Sequence, residues 1–378
     1  IGEAIATLTK YRQGKQNLER RLVEDEEWYK LRYWEALRQN KCQGLGQPIH
    51  PEPTSAWMFN VLANKHADYA DNYPEPNVLP RELSDEGSAK ALSSILPVVL
   101  DRAEYEGTYS KANWRKLKHG TAATGVFWNQ SLENGLGDID IKPVDLLKLF
   151  WEPGIEDIQD SRNLFSVELH DKDVLEEHYP QLKGKLGGNV IDIREYIYDD
   201  QVDNTGKALV VDWYYKRHAE GGATVLHLAK FCNSQLLFAS ENDPAAYPNG
   251  YYAHGMYPFV FDVLFPEEGT PTGFGYVALT KSPQIYIDRL AGNILEKSDD
   301  DTRNRYFMSD ATGVNEQEFL DKKKRIVRVQ GTLDETRIKP IINSQLDPIY
   351  VSIWQLKVDE LKETSGNRDV NSGSTGSG

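Results

Sequence analysis

Two glycines ahead of a predicted helix are the first feature whose type and spacing could do chemistry. Gly273 and Gly275 stand in "PTGFGYVALTKSPQIYIDRL", at residues 271–290. A phosphate cradle of the Rossmann type requires G-x-G-x-x-G directly after a buried strand. Ala278 is a tolerated variant of the third glycine, but "PEEGTPT" precedes the pair, and the helix start predicted at Pro283 comes eight residues after Gly275. We therefore interpret the glycines as allowing the chain to bend into a long helix.

Carboxylates and histidines are the next candidates for a metal or catalytic site. Asp299, Asp300 and Asp301 are consecutive, and consecutive helical positions point ~100° apart, so they cannot converge on one ion. A solvated helix end is the preferred interpretation. The eight histidines are scattered, without an HExxH, GxSxG or Cys-His pattern. The sequence predicts no cofactor, metal or catalytic residue and favours a non-enzyme.

Composition limits the partners of this chain of 378 residues. The net charge is −15 and the isoelectric point is near 5.1. Such a balance disfavours a tight, sequence-independent grip on nucleic acid, but it suits a surface past which DNA slides. The two cysteines, Cys42 and Cys232, favour a reducing compartment over a disulfide framework. No apolar run reaches the ~20 residues of a membrane span. Because the first residue is Ile, we expect a longer natural protein.

One basic cluster stands out in this acidic chain. It comprises Lys322, Lys323, Lys324, Arg325 and Arg328. A solvated strand edge, which lysines protect from aggregation, is one interpretation. Docking to an acidic partner or a neighbouring subunit is another. Binding to nucleic acid ranks behind that, because no aromatic residue interleaves the run as a stacking platform would require.

The elements that position these residues change in type along the chain. Apolar residues at i, i+4 spacing predict a helix over residues 17–39, through Leu18, Leu22, Tyr29, Tyr33 and Leu37. A second helical stretch begins at Ser84, is interrupted or kinked near Pro97, and ends at about Lys118.

The middle of the chain is rich in predicted strands. They are "ATGVFWNQ", "GDIDIKPV", "NLFSVELH", "ALVVDWYYKRH" and the hairpin "GATVLHLAKFCNSQLLFAS", with Asn233 and Ser234 at its turn. Because strands and helices do not alternate regularly, the predicted fold class is α+β.

The last hundred residues predict two matched helices. Ser282-Pro283 and Asp347-Pro348 each combine an N-cap residue with proline at the first helical position. Apolar residues then follow on one face of each helix: Ile287, Leu290 and Ile294 in the first, and Ile353, Trp354, Val358 and Leu361 in the second. Each helix has ~18 residues and a length of ~27 Å.

These helices flank an insert with strand-like pieces, "RYFMS", "RIVRV" and "RIKPII", around the helix-like "NEQEFLDKK". The arrangement predicts a stalk with a small head. Because a stalk with one narrow apolar stripe is poorly stable alone, we expect neighbouring copies to cover it.

In this order the features resemble a tailed-bacteriophage portal protein of the podovirus type. "NWRKLKHGTAATGVFWN" is similar to the family's helix leading to a strand, and "LFWEPGIEDIQDSRNLF" to its "DP…D…D-A-R" segment. Here Glu152-Pro153 replaces Asp-Pro and Ser161 replaces Ala. "GFGYVALTKSPQIYIDRLAGN" is similar to the transition from wing to stem, with Pro283-Gln284 as the family's Pro-Gln pair.

The resemblance implies a division of the chain into portal regions. Residues 1–275 would form the wing, helical to about residue 120 and β-rich over residues 121–275. The first stem helix would span residues 276–301, with its helix signal at Pro283. The clip would span residues 302–346 and the second stem helix residues 347–366. Residues 367–378 would start a flexible tunnel loop, and the crown would be absent.

The resemblance also implies a function. About twelve copies would form a cyclic ring at one capsid vertex, through which double-stranded DNA passes without sequence specificity during packaging and ejection. The implied partners are the terminase large subunit, adaptor or head-completion proteins, and the major capsid protein or scaffold. The implied location is the virion, with assembly in the host cytoplasm and no membrane. Two alternatives stay open: an adaptor or baseplate component, and an enzyme with an unrecognised carboxylate site.

Overall fold

A computed structural model describes residues 1–33, 55–186, 191–196, 204, 206–218, 224–302, 305–308, 338–341 and 347–366. The fold class is α+β, as predicted. The chain divides into two compact units. The larger holds Ile1–Leu37, Ala56–Lys281 and Thr364–Gly378, and the smaller holds Arg38–Ser55 and Ser282–Glu363.

Helices of the described residues lie mainly in the first third and the last quarter of the chain. They are α1 (Gly2–Tyr29), α2 (Trp57–Asp71), α3 (Glu86–Arg102), α4 (Tyr105–His119), α5 (Lys172–His178), α6 (Tyr276–Thr302) and α7 (Pro348–Ser365).

The strands occupy the middle and flank the proposed head. They are β1 (Thr121–Asn129), β2 (Asp138–Val144), β3 (Leu149–Trp151), β4 (Asn163–Asp171), β5 (Lys207–His218), β6 (Thr224–Cys232), β7 (Gln235–Ala239), β8 (Phe259–Val263), β9 (Phe265–Pro266), β10 (Gly273–Phe274), β11 (Arg305–Met308) and β12 (Ile338–Ile341).

The first helix begins fifteen residues earlier than predicted. Helix α1 starts at Gly2 and ends at Tyr29, rather than spanning residues 17–39. Leu31 ends it by adopting a left-handed φ of 59°, and Trp28 and Tyr33 stack with ring centroids 3.9 Å apart. Residues 34–39 of the predicted helix lie outside the described residues. The stretch "EAIATLTKYRQGKQ" has a weak amphipathic pattern because it is rich in polar residues and Lys15 lies on its buried face.

Pro97 does not interrupt the second helical stretch. It lies inside α3 with its ring exposed, where a proline removes a single helix hydrogen bond. The break falls instead at Glu104, whose φ is 48°. Ser84 lies in a short 3₁₀ turn, and Asp85 rather than Ser84 precedes the helix. Helix α2 was not predicted.

All the strands predicted in the middle of the chain are present and form two antiparallel sheets. The smaller sheet has the order β2-β1-β8, and the larger has the order β3-β4-β5-β6-β7. In the smaller sheet Val126 lies opposite Ile141 and Thr124 opposite Val260. The predicted hairpin turn is confirmed, because Asn233 there has a φ of 53° between β6 and β7.

The core lies on both faces of the five-stranded sheet. Alternation along the strands sends Phe165, Leu209 and Phe231 to one face, where they pack with Leu8 of α1. Side chains on the opposite face of this sheet, such as Tyr214, pack against Ala123 and Phe259 of the three-stranded sheet. Full burial of each large apolar side chain contributes ~1.5–3 kcal/mol, so these two layers are the main stabilising contacts of the larger unit.

A buried lysine of α1 binds the backbone at the start of β3. Lys15 is 7% exposed, and its Nζ donates to the carbonyl oxygens of Leu146 and Leu149. The same nitrogen lies 4.5 Å and 4.9 Å from the ring centroids of Phe150 and Trp151. This polar contact holds the helix at the start of β3, at a position where an amphipathic pattern would place an apolar residue.

Burial changes the proton affinity of this amine. It lowers the pKa of Lys15 from 10.5 to about 7, against the opposing charges of Glu19 and Asp145. Below about pH 7 the folded and unfolded chains both carry the proton. Between about pH 7 and 10.5 the unfolded chain holds a proton that the folded chain has released. The free energy of unfolding therefore rises with pH across this window.

We expect the substitution Lys15→Met to remove this pH dependence. In the wild type the rise approaches ~1.4 kcal/mol per pH unit. Urea unfolding of both proteins at about pH 7, 8 and 9 measures the difference between their slopes. Lys10→Met, on the exposed side of the same helix, is the control and should keep the wild-type slope. Equal slopes for wild type and Lys15→Met would contradict the assignment.

Candidate functional site

The start of α6 carries the two glycines singled out in the sequence and lies against α1 and α4 of the larger unit. Helix α6 begins at Tyr276, directly after β10, so the helix start predicted at Pro283 is wrong. Val277 is fully buried, and Thr280 Oγ1 donates to the Tyr276 carbonyl at 2.8 Å. This first turn is already formed and packed, and the helix then tolerates the single hydrogen bond that Pro283 removes.

Gly273 and Gly275 are required for close approach of the backbone. A Cβ on Gly273 would lie 2.0 Å from the carbonyl oxygen of Phe265, and one on Gly275 would lie 2.5 Å from those of Leu117 and Lys118. Neither glycine adopts the left-handed conformation. The interpretation that they let the chain bend is therefore corrected: they allow β10 and α6 to lie directly against β9 and the end of α4.

The peptide groups of Gly273 are used inside the protein. Its N–H donates to Thr121 Oγ1 at 2.9 Å, and its carbonyl accepts from Arg21 Nη2 at 2.7 Å. Arg21 also donates to both carboxylate oxygens of Glu267, at 2.9 and 3.0 Å. No group of Gly273 is left to cradle a phosphate, and α1 is tied to this turn.

The last turns of α1 hold the start of α6 through ion pairs. Lys281 Nζ lies 2.9 Å from Glu24 Oε1 and 2.9 Å from Asp25 Oδ1. Asp25 is only 1% exposed, so its contact with Lys281 is screened little by water. A buried carboxylate that loses its cation is costly, so Asp25 is a constraint on where α6 begins.

The end of α4 brings a lysine and a histidine to the same acids. Lys118 Nζ pairs with Glu26, and His119 lies with Nδ1 3.9 Å from Asp25 Oδ2 and Nε2 3.7 Å from Glu26 Oε2. His119 is 4% exposed. Sequence analysis missed this cluster. A signal existed, because acids in the last turn of a helix oppose its macrodipole and need cations from elsewhere.

The smaller unit contains a buried polar cluster on α6. Gln284 and Asp288 are both fully buried. Asp288 Oδ1 accepts from the Ser55 N–H at 3.0 Å and from Ser55 Oγ at 2.7 Å. Gln284 Nε2 donates to the Ser55 carbonyl at 2.8 Å and to Asp288 Oδ2 at 3.0 Å. Gln284 and Asp288 thus fix the backbone at Ser55.

Helix α7 begins as predicted. Asp347 Oδ1 accepts from the Ile349 N–H at 3.0 Å, with Pro348 at the first helical position. This is an N-cap that satisfies one of the free amides of the first turn.

The residues predicted to pack a stem differ in burial. Ile287, Val358 and Leu361 are buried, whereas Leu290, Ile294 and Trp354 are half-buried. Ile353 is 38% exposed. One side-chain contact between the two helices is the Lys357 ammonium over the Tyr286 ring, 5.6 Å from its centroid. The role of the seven residues in stem packing stays a prediction.

Other predicted features are placed in part. The basic cluster from Lys322 to Arg328 lies outside the described residues. Asp299 lies in the last turns of α6, which continues to Thr302. Within the described ranges, no group of three His, Cys, Asp or Glu residues is positioned to hold a metal ion. In the same part of the chain, no helix combines the length and apolar composition that crossing a membrane requires.

Comparison with known proteins gives the class. A family model described as "Phage P22-like portal protein" matches residues 7–247, more than half of the chain. The chain is therefore a tailed-bacteriophage portal protein, as the resemblance implied, and a component of the virion. More particularly, it belongs to the P22-like portal family, which is structural and whose members assemble with one another in the capsid. A search of curated proteins finds no match.

We expect Gly275→Ala to destabilise the protein, because the new Cβ would overlap two backbone carbonyls. The expected loss is ~1–3 kcal/mol of unfolding free energy, measured by urea denaturation. Gly107→Ala is the matched control, since a Cβ there meets nothing within 4 Å and alanine favours the helix by up to ~1 kcal/mol. If the two variants were equally stable, the close approach would not be a constraint.

Proposed function

We propose that copies of this chain form a ring at one capsid vertex, through which double-stranded DNA is packaged and ejected. Membership of the portal family supports this proposal. In it, residues 1–275 are the wing, α6 and α7 are the two stem helices, and residues 302–346 are the clip. The short strands β11 and β12, at the two ends of that insert, pair antiparallel with Phe307 opposite Lys339.

The two helices have lengths suited to a stem. With 27 residues, α6 is ~40 Å long, and α7 with 18 residues is ~27 Å long. Helix α6 is thus longer than the ~18 residues expected from a start at Pro283, because it begins at Tyr276.

An exposed apolar stripe on α7 carries the proposal. Ile349, Ile353 and Leu356 follow at i, i+4 and i+7 and are 55%, 38% and 62% exposed. Such spacing places them on one face of a helix. Val358 and Leu361, on another face, are buried. The single chain thus satisfies one side of α7 and leaves a second apolar side to water, and we assign the neighbouring copy as its cover.

The negative net charge of the chain suits a channel that does not bind DNA tightly. At −15 per chain, a ring of about twelve copies is strongly anionic and repels phosphate. The portal itself would supply no hydrolysis, and a docked terminase would supply the ATP chemistry. The basic cluster from Lys322 to Arg328, in the proposed clip, would contact the terminase and later the head-completion proteins.

Native mass spectrometry with negative-stain imaging of the purified chain tests the ring. We expect particles with a central hole and a mass near twelve times 42.9 kDa, with about twelve copies set by closure of a cyclic assembly. Compact dimers or trimers without a hole would overturn the proposal.

We expect Leu356→Glu to weaken assembly without unfolding the chain. Burying one leucine at a subunit contact is worth ~1.5–3 kcal/mol, so the concentration needed for assembly should rise about tenfold or more. Mass photometry across a dilution series measures this. Val174→Glu, an apolar residue of similar exposure on α5, is the control. Assembly unchanged in Leu356→Glu would remove α7 from the subunit contact.

A further inference from the structure

One face of the three-stranded sheet is apolar and exposed. Strand pairing places Val126 opposite Ile141 and Trp128 opposite Ile139, and residues two apart on a strand share a face. Val126 and Trp128 are 41% and 55% exposed, whereas Phe127 between them packs against the core. The outward side of β1 is therefore apolar, where a strand with one solvated face usually carries polar residues.

The two neighbouring strands extend this surface on both sides. Val260 of β8 lies opposite Thr124, on the same face as Val126, and is 59% exposed. Ile139 and Ile141 of β2 are half-buried. We call this surface the outer sheet face, and its six residues are Thr124, Val126, Trp128, Ile139, Ile141 and Val260. None of these side chains is ionisable.

Helix α4 packs on the other end of the same sheet face. Ala122 is buried there, and its pairing partner Asp262 accepts from Lys116 of α4, whose Nζ lies 2.8 Å from Asp262 Oδ2. Thr108 Oγ1, also of α4, donates to the Ile141 carbonyl at 3.1 Å. The helix thus covers one part of the sheet and leaves the part with the exposed valines and tryptophan to water.

Trp128 is held in place although it is exposed. Its ring lies against the backbone of Gly137, where an added Cβ would lie 2.7 Å from Trp128 Cζ2. A side chain that is already ordered loses little conformational entropy on binding. Tryptophan is also enriched among the residues that dominate the binding energy of protein interfaces. The outer sheet face therefore presents a fixed aromatic anchor.

The α7 stripe by itself is too small to hold copies of this chain together. Stable interfaces bury about 800 Å² per partner, with about 20–30 residues on each side, whereas the stripe consists of Ile349, Ile353 and Leu356. Members of the portal family assemble with one another, so a contact between copies needs further surface beyond this stripe. An exposed apolar face of the larger unit meets that need.

The charges around the outer sheet face favour a second copy as its occupant. Copies with a net charge of −15 repel one another wherever unpaired acids face each other. The outer sheet face has no ionisable side chain, and Asp262, the acid next to Val260 on the same side of β8, is paired with Lys116. A partner selected by charge would find no charge on this face to recognise.

We propose that the outer sheet face is a contact between copies of this chain, with Trp128 as its anchor. The proposal rests on the proposed ring and adds to it a contact surface in the larger unit. In a cyclic assembly this face meets a different surface of the next copy.

Photocrosslinking of the assembled full chain tests the contact directly. The photoreactive residue p-benzoylphenylalanine replaces Val260 in one variant and Leu236 in the control, since Leu236 is 40% exposed on β7, an edge strand of the other sheet. After irradiation, denaturing electrophoresis should show bands of two or more copies for the variant at 260 and a single-copy band for the control. Single-copy bands from both assembled variants, or equal crosslinking of both, would overturn the proposal.

A charge placed on the face should weaken assembly. We expect Val126→Glu to raise the concentration needed for assembly about tenfold or more, measured by mass photometry across a dilution series. Leu236→Glu is the control, because its side chain has nearly the same exposure as Val126, and it should assemble like the wild type. Circular dichroism melting curves check that each variant folds, and the crosslinking result stands if Val126→Glu does not.

The wild type separates failure of this contact from failure of the ring. A wild-type chain that stays monomeric at every concentration would overturn the ring and this contact together. A wild-type ring that persists unchanged in folded Val126→Glu would overturn the contact alone and leave the ring in place.

Discussion

The buried face of α1 is the constraint on which the larger unit depends. It carries ionisable side chains among its apolar residues, and two of them contact elements far along the chain. Lys15 holds the carbonyls of Leu146 and Leu149, and Asp25 holds Lys281. Because a buried polar group without a hydrogen-bond partner is costly, these contacts determine where β3 and the first turns of α6 lie. The same helix therefore fixes the sheet core and the start of the long helix.

Much of the fold follows from periodicity. The strands of the middle region are short apolar runs bounded by turn residues, as expected where both faces of the large sheet are buried, and the turn at Asn233 uses a residue suited to a left-handed φ. Helix α7 follows from Asp347-Pro348. These elements depend on local preferences that agree with tertiary packing, which is the condition under which a sequence pattern is informative.

The rest could not be predicted because tertiary contacts override the local signal. Helix α1 includes Lys15 and Asp25 on its buried face. These polar residues interrupt the apolar periodicity of the sequence, although the face is fully packed in the fold. Pro97 and Pro283 lie inside helices, where the loss of one hydrogen bond is smaller than the gain from packing on either side. Gly275 has a packing role that depends on the Leu117 and Lys118 carbonyls, more than 150 positions earlier in the chain.

The charges around the α7 stripe suit a contact between identical acidic chains. Ile349, Ile353 and Leu356 are exposed on one face of the helix, and Lys357 and Glu360 of the same helix pair with each other at 2.6 Å. Because like charges directly opposed across a contact are costly, a copy of a chain with a net charge of −15 packs best where apolar side chains and paired charges form the surface. The α7 stripe offers such a surface, so an overall acidic chain can still assemble with its own copies.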